Sequence, residues 1–160
     1  MKILLFFSVI LSQYCFAQTP KPFKTCSKTV NYTVDDWELR KKAGMDLSIP
    51  VVNPSYVGGV DELKKIFAAN SIDDSPYIYR TFISFVVNCK GQIGNFQFMN
   101  DAKADKQQQQ ALNQILEIVK KMPRKWKPAI SKEGNPVDSY QIIKLTIRGS
   151  KIIDVVINKN

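Results

Sequence analysis

Residues 104–122 carry the pattern that most constrains the fold, because apolar side chains return every three or four positions on an otherwise polar segment. This spacing places the apolar side chains on one face of a helix. The stripe consists of Leu112, Ile115, Leu116, Val119 and Met122. Pro123 ends the segment, since proline has no amide to continue a helix. The sequence therefore predicts an amphipathic helix from about Ala104 to Met122 that must bury its stripe against another element.

Strand patterns precede this helix. Tyr77 to Asn88 alternates apolar and smaller or polar residues, as a strand with two different faces does. Asn88 to Gly91 is typical of a turn, and Gln92 to Met99 returns as a second strand. The alternation of that second strand slips by one residue, which predicts a β-bulge near Gly94-Asn95.

Two further strand patterns follow the helix. Ser139 to Arg148 alternates throughout, and Lys151 to Ile157 alternates again after the Gly149-Ser150 pair. Because two residues suffice for a tight hairpin, we expect Lys151 to Ile157 to fold back as a fourth strand against Ser139 to Arg148.

A shorter helix is predicted after Gly58-Gly59, with its apolar side chains on one face and acidic residues in its first turn. We predict an α+β domain over residues 56–160, in which two helices pack on one face of a three- to four-stranded antiparallel sheet. Residues 18–55 contain several prolines and no sustained periodicity, so they are expected to form an extended arm.

Residues 1–17 have the organisation of a secretory signal peptide. Lys2 precedes the apolar run Ile3 to Leu11, and small residues occupy the positions before a cleavage site at Ala17-Gln18. We expect a periplasmic or secreted protein without stable membrane insertion after processing, since the run is shorter than the roughly 20 residues a bilayer requires. The alternative is an uncleaved membrane anchor.

Two cysteines remain after cleavage, Cys26 and Cys89. An even number of cysteines in an exported protein favours a disulfide, which would tie the arm to the first hairpin. Two unrelated thiols are the alternative interpretation.

The residue types disfavour catalysis. The chain has no histidine, which removes the usual Ser-His, Cys-His and zinc chemistries. Its acidic pairs, such as Asp61-Glu62, are adjacent in sequence and do not share a helix face. We expect no enzyme, no cofactor, no metal and no nucleic-acid partner. The net charge of +9 indicates either a solvated basic face or affinity for an acidic envelope component.

Four segments together resemble the TonB C-terminal domain family in its Bacteroidetes-like version. They are YVGGVDELKK (Tyr56 to Lys65), SFVVNCKGQIGNFQF (Ser84 to Phe98), KKMPRKWKPA (Lys120 to Ala129) and KEGNPV (Lys132 to Val137). The most specific part is the Met-Pro-x-x-Trp-x-Pro run that begins at Met122. A full energy transducer of this family has a membrane anchor and a long spacer, and neither is expected in this chain.

The resemblance implies a binding function carried by a backbone edge. In the family, the strand after the second helix pairs with an extended peptide of an outer-membrane transporter, so a protein partner is expected. Here that strand supplies Tyr140, Ile142, Lys144, Thr146 and Arg148. The sequence leaves two alternatives: a self-associating structural protein of the envelope, forming a homodimer through Lys151 to Ile157, or a basic binder of envelope polyanions.

Overall fold

The computed structural model of the protein describes residues 23–28, 30–32, 50–72, 78–98 and 105–157. The predicted signal peptide, its cleavage site and most of the predicted arm lie outside these residues. In chain order the elements are β1 (Asn31–Tyr32), β2 (Ser55–Tyr56), α1 (Gly59–Ala68), β3 (Ile78–Val87), β4 (Ile93–Phe98), α2 (Lys106–Lys121), β5 (Trp126–Lys127), β6 (Ala129–Ile130), β7 (Pro136–Val137), β8 (Ser139–Arg148) and β9 (Lys151–Ile157).

The central sheet has the order β4–β3–β8–β9, and all these neighbours are antiparallel. The two-residue strand β1 adds in parallel beside the start of β8, on the side that β9 occupies further along. The predicted α+β class and the four antiparallel strands are confirmed, and so is the fold-back of Lys151–Ile157.

The strand periodicity decides which side chains reach the core. Side chains at odd positions on β3 and β8 join those of both helices in one buried cluster. The sheet contributes Ile83, Phe85, Val87, Ile143, Leu145 and Ile147, and the helices contribute Leu63, Phe67, Ala111, Ile115 and Val119. The two helices therefore lie on one face of the sheet, as the amphipathic patterns predict.

Local signals explain where the long helix begins and ends. Asp105 accepts a hydrogen bond from the amide of Gln108, whose side chain bonds back to the Asp105 amide, which forms a capping box. The helix therefore begins at Lys106, two residues after the predicted start. It ends before Met122 and Pro123 because proline cannot extend the hydrogen-bond ladder.

The predicted bulge in β4 is confirmed. The pairing of β3 with β4 shifts register between Ser84 and Val86, opposite Asn95. Asn95 has φ 54°. Asparagine tolerates the left-handed region better than most residues, which suits it to the extra position of a bulge.

Two small two-stranded ladders, β2–β5 and β6–β7, lie outside the central sheet. The first ladder pairs Tyr56 with Trp126, and both side chains are buried. The Trp126 ring contacts Tyr56 and Phe85 edge-on, each at 5.2 Å between ring centres. Trp126 thus joins the loop after α2 to the core of the sheet.

Candidate functional site

Strand β8, from which the sequence predicts peptide binding, lies in the interior of the sheet. Its full length pairs with β3 on one side. On the other side, β1 pairs with Ser139 and Tyr140, and β9 pairs with the stretch from Ile143 to Arg148. The edge that the family resemblance implies at this strand is therefore not open, because β9, which folds back as predicted, and β1 occupy the backbone groups that a peptide would need.

The five residues predicted for that edge share one face of the sheet instead. They are Tyr140, Ile142, Lys144, Thr146 and Arg148, which are half-buried except for the exposed Arg148. This face lies opposite the two helices, because the intervening odd positions of β8 point into the core. These residues can therefore act through their side chains on the open face of the sheet rather than through a free backbone edge.

Strand β9 is the outermost strand on this side of the sheet. Among the residues that the structure describes, β8 is its only strand partner. The Val155 amide donates to the neighbouring Asp154 carboxylate at 3.0 Å. We therefore assign the Val155 amide to the side of β9 that faces away from β8. Because backbone groups of alternate residues point to opposite sides of a strand, the Ile157 amide is assigned to the same side.

The side chains of β9 divide between core and surface. Ile152, Val155 and Ile157 are buried, whereas Ile153 and Val156 are 47% and 46% exposed. Ile153 is the additional residue where the pairing with β8 shifts register. An outermost strand with exposed apolar side chains is the arrangement that accepts an added strand.

Three cations lie together at the β8–β9 hairpin end of the open face. Arg148 and Lys151 are direct cross-strand partners, and Arg80 lies diagonally to Arg148 across the β3–β8 ladder. We call these three residues the basic corner. Within the described part of the chain, no ion pair joins the basic corner to a carboxylate. The nearby Asp154 pairs with Lys64 instead, at 3.7 Å.

Charge substitution at Lys151 should stabilise the fold. Like charges directly opposite each other on two strands are destabilising, and opposite charges contribute roughly 0.2–1 kcal/mol. We expect denaturant unfolding to give the stability order Lys151→Glu above Lys151→Gln above the unchanged protein, with about 1 kcal/mol across the series. The gain should shrink in high salt. A Lys151→Glu protein no more stable than Lys151→Gln would contradict the proximity of the Arg148 charge.

The opposite edge of the sheet, formed by β4, is less suited to strand addition. Its bulge at Asn95 interrupts a regular ladder, and bulges are a common protection of edge strands. The ring of Phe23, from the N-terminal arm, packs so closely on Gly94 that a Cβ there would clash with the ring. Both outermost strands of the described chain are interrupted by a bulge, and β4 is the one on which the arm also packs, so we assign strand addition to β9.

A buried polar cluster fixes the N-terminal arm to the far end of the sheet. The fully buried carboxylate of Asp138 accepts hydrogen bonds from the amides of Cys26 (2.5 Å), Ser27 (2.9 Å) and Cys89 (2.8 Å). Asn88 donates from its amide group to the carbonyl of Lys24 at 2.8 Å. We call Asp138, Asn88 and the two cysteines the arm clamp.

The predicted disulfide between Cys26 and Cys89 is confirmed, with 6.0 Å between the Cα atoms. The two sulfur atoms and the Asp138 carboxylate lie within 4.8 Å of one another. A disulfide leaves no thiolate to bind a cation, so this cluster holds the arm rather than a metal.

Sequence patterns missed the role of Asp138. A single aspartate between a polar loop and a strand is typical of a solvated turn, and its local neighbours contain no sign of burial. Its partners lie 49 and 112 positions away in the sequence, so only the tertiary fold brings them together.

Three polar side-chain atoms are buried within or beside the core. Trp126 Nε1, Gln141 Oε1 and the Tyr79 hydroxyl have no hydrogen-bond partner within the described residues. Burial, followed by the charge of Asp105, raises the pKa of Tyr79 above its ordinary value. Tyr79 is therefore neutral at physiological pH and is not available as a base.

A groove of about 620 Å³ runs between α1 and α2. Its walls combine apolar side chains, including Ile66 and Ile118, with polar ones. The single carboxylate in its lining, Glu117, bonds to Lys120 at 2.9 Å, and this bond lowers the pKa of Glu117. The lining includes no pair of a nucleophile with a base.

No helix in the described part of the chain combines the length and the apolar character needed to cross a bilayer. Comparisons with protein-family models, with curated proteins and with solved structures gave no match for this chain. The resemblance to the TonB C-terminal domain thus rests on the sequence segments alone.

Proposed function

We propose that this chain is an exported protein-interaction module that binds an extended segment of a partner protein by adding it as a strand to β9. The observation that carries the proposal is the position of β9 as the outermost strand on its side of the described sheet. We assign the amides of Val155 and Ile157 to its outer side, where the Val155 amide donates to the Asp154 carboxylate. In strand addition, main-chain hydrogen bonds supply affinity and alternate side chains supply selectivity.

The apolar surface of β9 supports the same proposal. Val156 pairs with Lys144 across the ladder, so its exposed side chain lies on the open face beside the place of an added strand. A partner side chain there would cover apolar area that now contacts water, which stabilises a complex.

The proposed location is the bacterial periplasm. The predicted signal peptide and the resemblance to the TonB C-terminal domain support it. The Cys26–Cys89 disulfide fits it, because such bonds persist in oxidising compartments. A role in TonB-linked transport is part of this proposal, and the function proposed is binding rather than catalysis.

Backbone-methylated peptides test the strand-addition mode. The probe is the neutral peptide TQTTTVT with blocked ends, synthesised in two versions that carry N-methyl groups on alternate residues. An N-methyl group removes a hydrogen-bond donor, so the version methylated on the β9-facing amides should lose binding. The version methylated on the outward amides is the matched control and should bind like the parent peptide.

Hydrogen exchange identifies the edge that is used. On addition of the parent peptide to the full chain, the amides of Val155 and Ile157 should exchange at least about tenfold more slowly, because they become ladder donors. For Val155, the ladder bond would replace its bond to the half-exposed Asp154 carboxylate. The Val156 amide, which faces β8, serves as the internal reference. Protection of β4 amides in place of Val155 and Ile157 would overturn the assignment to β9. Protection that grows with protein concentration and needs no peptide would favour the self-associating alternative.

A further inference from the structure

Two segments of the chain run side by side outside the central sheet. Residues 51–57 and 124–130 pair through the β2–β5 ladder, and an isolated bridge continues the pairing on one side of it. On the other side, the Val57 amide donates to the Lys125 carbonyl at 2.9 Å. We call these two segments the basic ribbon. We infer that the basic ribbon docks the protein on the phosphate-bearing surface of an anionic phospholipid membrane.

The pairing divides the side chains of the ribbon between core and solvent. The directly paired rings of Tyr56 and Trp126 are buried in the core. Their neighbours in sequence point the other way, because successive side chains alternate along a paired strand. This outer side carries the exposed Val57 beside Lys125, and the exposed Lys127 lies on the same side. Apolar and cationic side chains therefore face solvent together.

The positive charge of the ribbon is not neutralised locally. The ribbon contains Arg124, Lys125 and Lys127, all exposed, and no acidic residue. Within the described residues, no carboxylate forms an ion pair with any of the three. The β3–β4 turn, whose Gly91 packs against the ribbon backbone, adds the exposed Lys90. Such clustered cations are attracted to the phosphates of an anionic membrane.

Exposed apolar side chains accompany these cations. Val51, Val52 and Val57 are 56%, 41% and 46% exposed. They make up three of the six large hydrophobic side chains that the described chain exposes, so the ribbon concentrates such surface. An apolar surface bordered by cations suits the membrane interface, because the apolar groups reach the acyl boundary while the cations remain among the headgroups.

A lipid surface fits this combination better than a soluble polyanion or an acidic protein does. A phosphorylated glycan would neutralise the cations but leave the three valines in water. An acidic protein would need carboxylates fixed at the spacing of these cations, whereas lipid headgroups diffuse to each cation. The membrane therefore accounts for both the charge and the apolar surface of the ribbon.

Docking through the ribbon leaves β9 free, so this inference is independent of the proposed strand addition. The ribbon adjoins the end of the sheet where Val87 pairs with Ser139, because the turn after β3 packs against it. Strand β9 covers β8 from Ile143 to Arg148, toward the other end. A docked molecule can therefore still accept a partner segment at β9.

Flotation with lipid vesicles tests the inference on the protein purified after export, from which the predicted cleavage removes the apolar run Ile3 to Leu11. Vesicles of equal parts phosphatidylglycerol and phosphatidylcholine should bind the protein, and binding should fall in high salt. Lys125→Gln and Lys127→Gln should each weaken binding about fivefold. Arg148→Gln with Lys151→Gln removes two charges at the basic corner, as the matched control, and should leave binding within about twofold of the unchanged protein.

Tryptophan placed on the ribbon reports which surface meets the membrane. Val57→Trp adds a ring at an exposed position, and tryptophan favours the membrane interface. Its emission should shift to shorter wavelength with the anionic vesicles, and brominated acyl chains should quench it. Ile153→Trp, at an equally exposed position of β9, is the matched control and should show neither change.

The opposite results would overturn the inference. They are absence of binding to the anionic vesicles, equal loss of binding in the ribbon and basic-corner double variants, and quenching of Ile153→Trp in place of Val57→Trp. Binding of soluble polyphosphate without binding of vesicles would assign the ribbon to a free polyanion and overturn the membrane ligand. Peptide binding at β9 is measured without lipid, so the proposed function stands or fails separately.

Discussion

A chain that ends at Arg148 should fail to fold into the native domain. The deletion removes Ile152, Val155 and Ile157, which belong to the buried core. Each such side chain stabilises the fold by about 1.5–3 kcal/mol, so their loss costs roughly 5–9 kcal/mol. This is comparable to the whole free energy of unfolding of a typical domain, about 5–15 kcal/mol. The truncation would also bare the edge of β8 and promote aggregation.

Circular dichroism, thermal unfolding and sedimentation would measure the effect. Deletion of residues 158–160 alone keeps all of β9 and serves as the matched control, which should melt like the full chain. A truncated protein that stays monomeric, melts cooperatively and binds TQTTTVT more tightly would contradict this expectation. In that case, β9 would act as a removable cover on the binding edge of β8.

Sequence patterns predicted the main strands and the long helix because these elements alternate between core and solvent over many residues. β8 and β9 occupy the predicted ranges Ser139–Arg148 and Lys151–Ile157. The slip in alternation within β4 was also sufficient to predict its bulge, since each side chain must keep its face of the sheet.

The parts that escaped prediction depend on contacts distant in sequence. β1 has two residues and pairs with β8 more than a hundred positions away, so no periodicity can reveal it. The strands β2 and β5 are equally short and pair in the same long-range way. Local patterns report how a segment is buried, whereas pairing partners are decided by the assembled sheet.

The strand that the family resemblance implies for binding is not an edge strand, for a related reason. The family resemblance ends before Lys151, and it implies an edge strand at the position of β8. The additional hairpin partner β9 converts that strand into an interior one. Under our proposal, the binding edge moves outward by one strand to β9. The side chains of β8 on the open face are then separated from the ligand by β9.

The arm clamp gives the second large effect, and Asp138 is its central residue. Asp138→Ala should lower the free energy of unfolding by about 3–5 kcal/mol, because the amides of Cys26, Ser27 and Cys89 would lose their acceptor. Asp138→Asn should cost less, since it keeps one acceptor oxygen. Asp154→Ala, at a half-exposed carboxylate, is the control and should cost less than about 1 kcal/mol.

A double-mutant cycle with the disulfide distinguishes a shared clamp from independent contacts. The disulfide joins residues 63 positions apart, so replacing both cysteines with serine should cost about 4 kcal/mol on the loop-entropy model. Asp138 bonds to the amides of the same two cysteines, so the combined loss with Asp138→Ala should fall short of the sum by at least about 1 kcal/mol. Strict additivity would mean that Asp138 and the disulfide hold the arm independently. We expect non-additivity because the arm can separate from Asp138 once the disulfide is absent. Asp138→Ala should then lower the free energy of unfolding by less than it does in the protein with the disulfide.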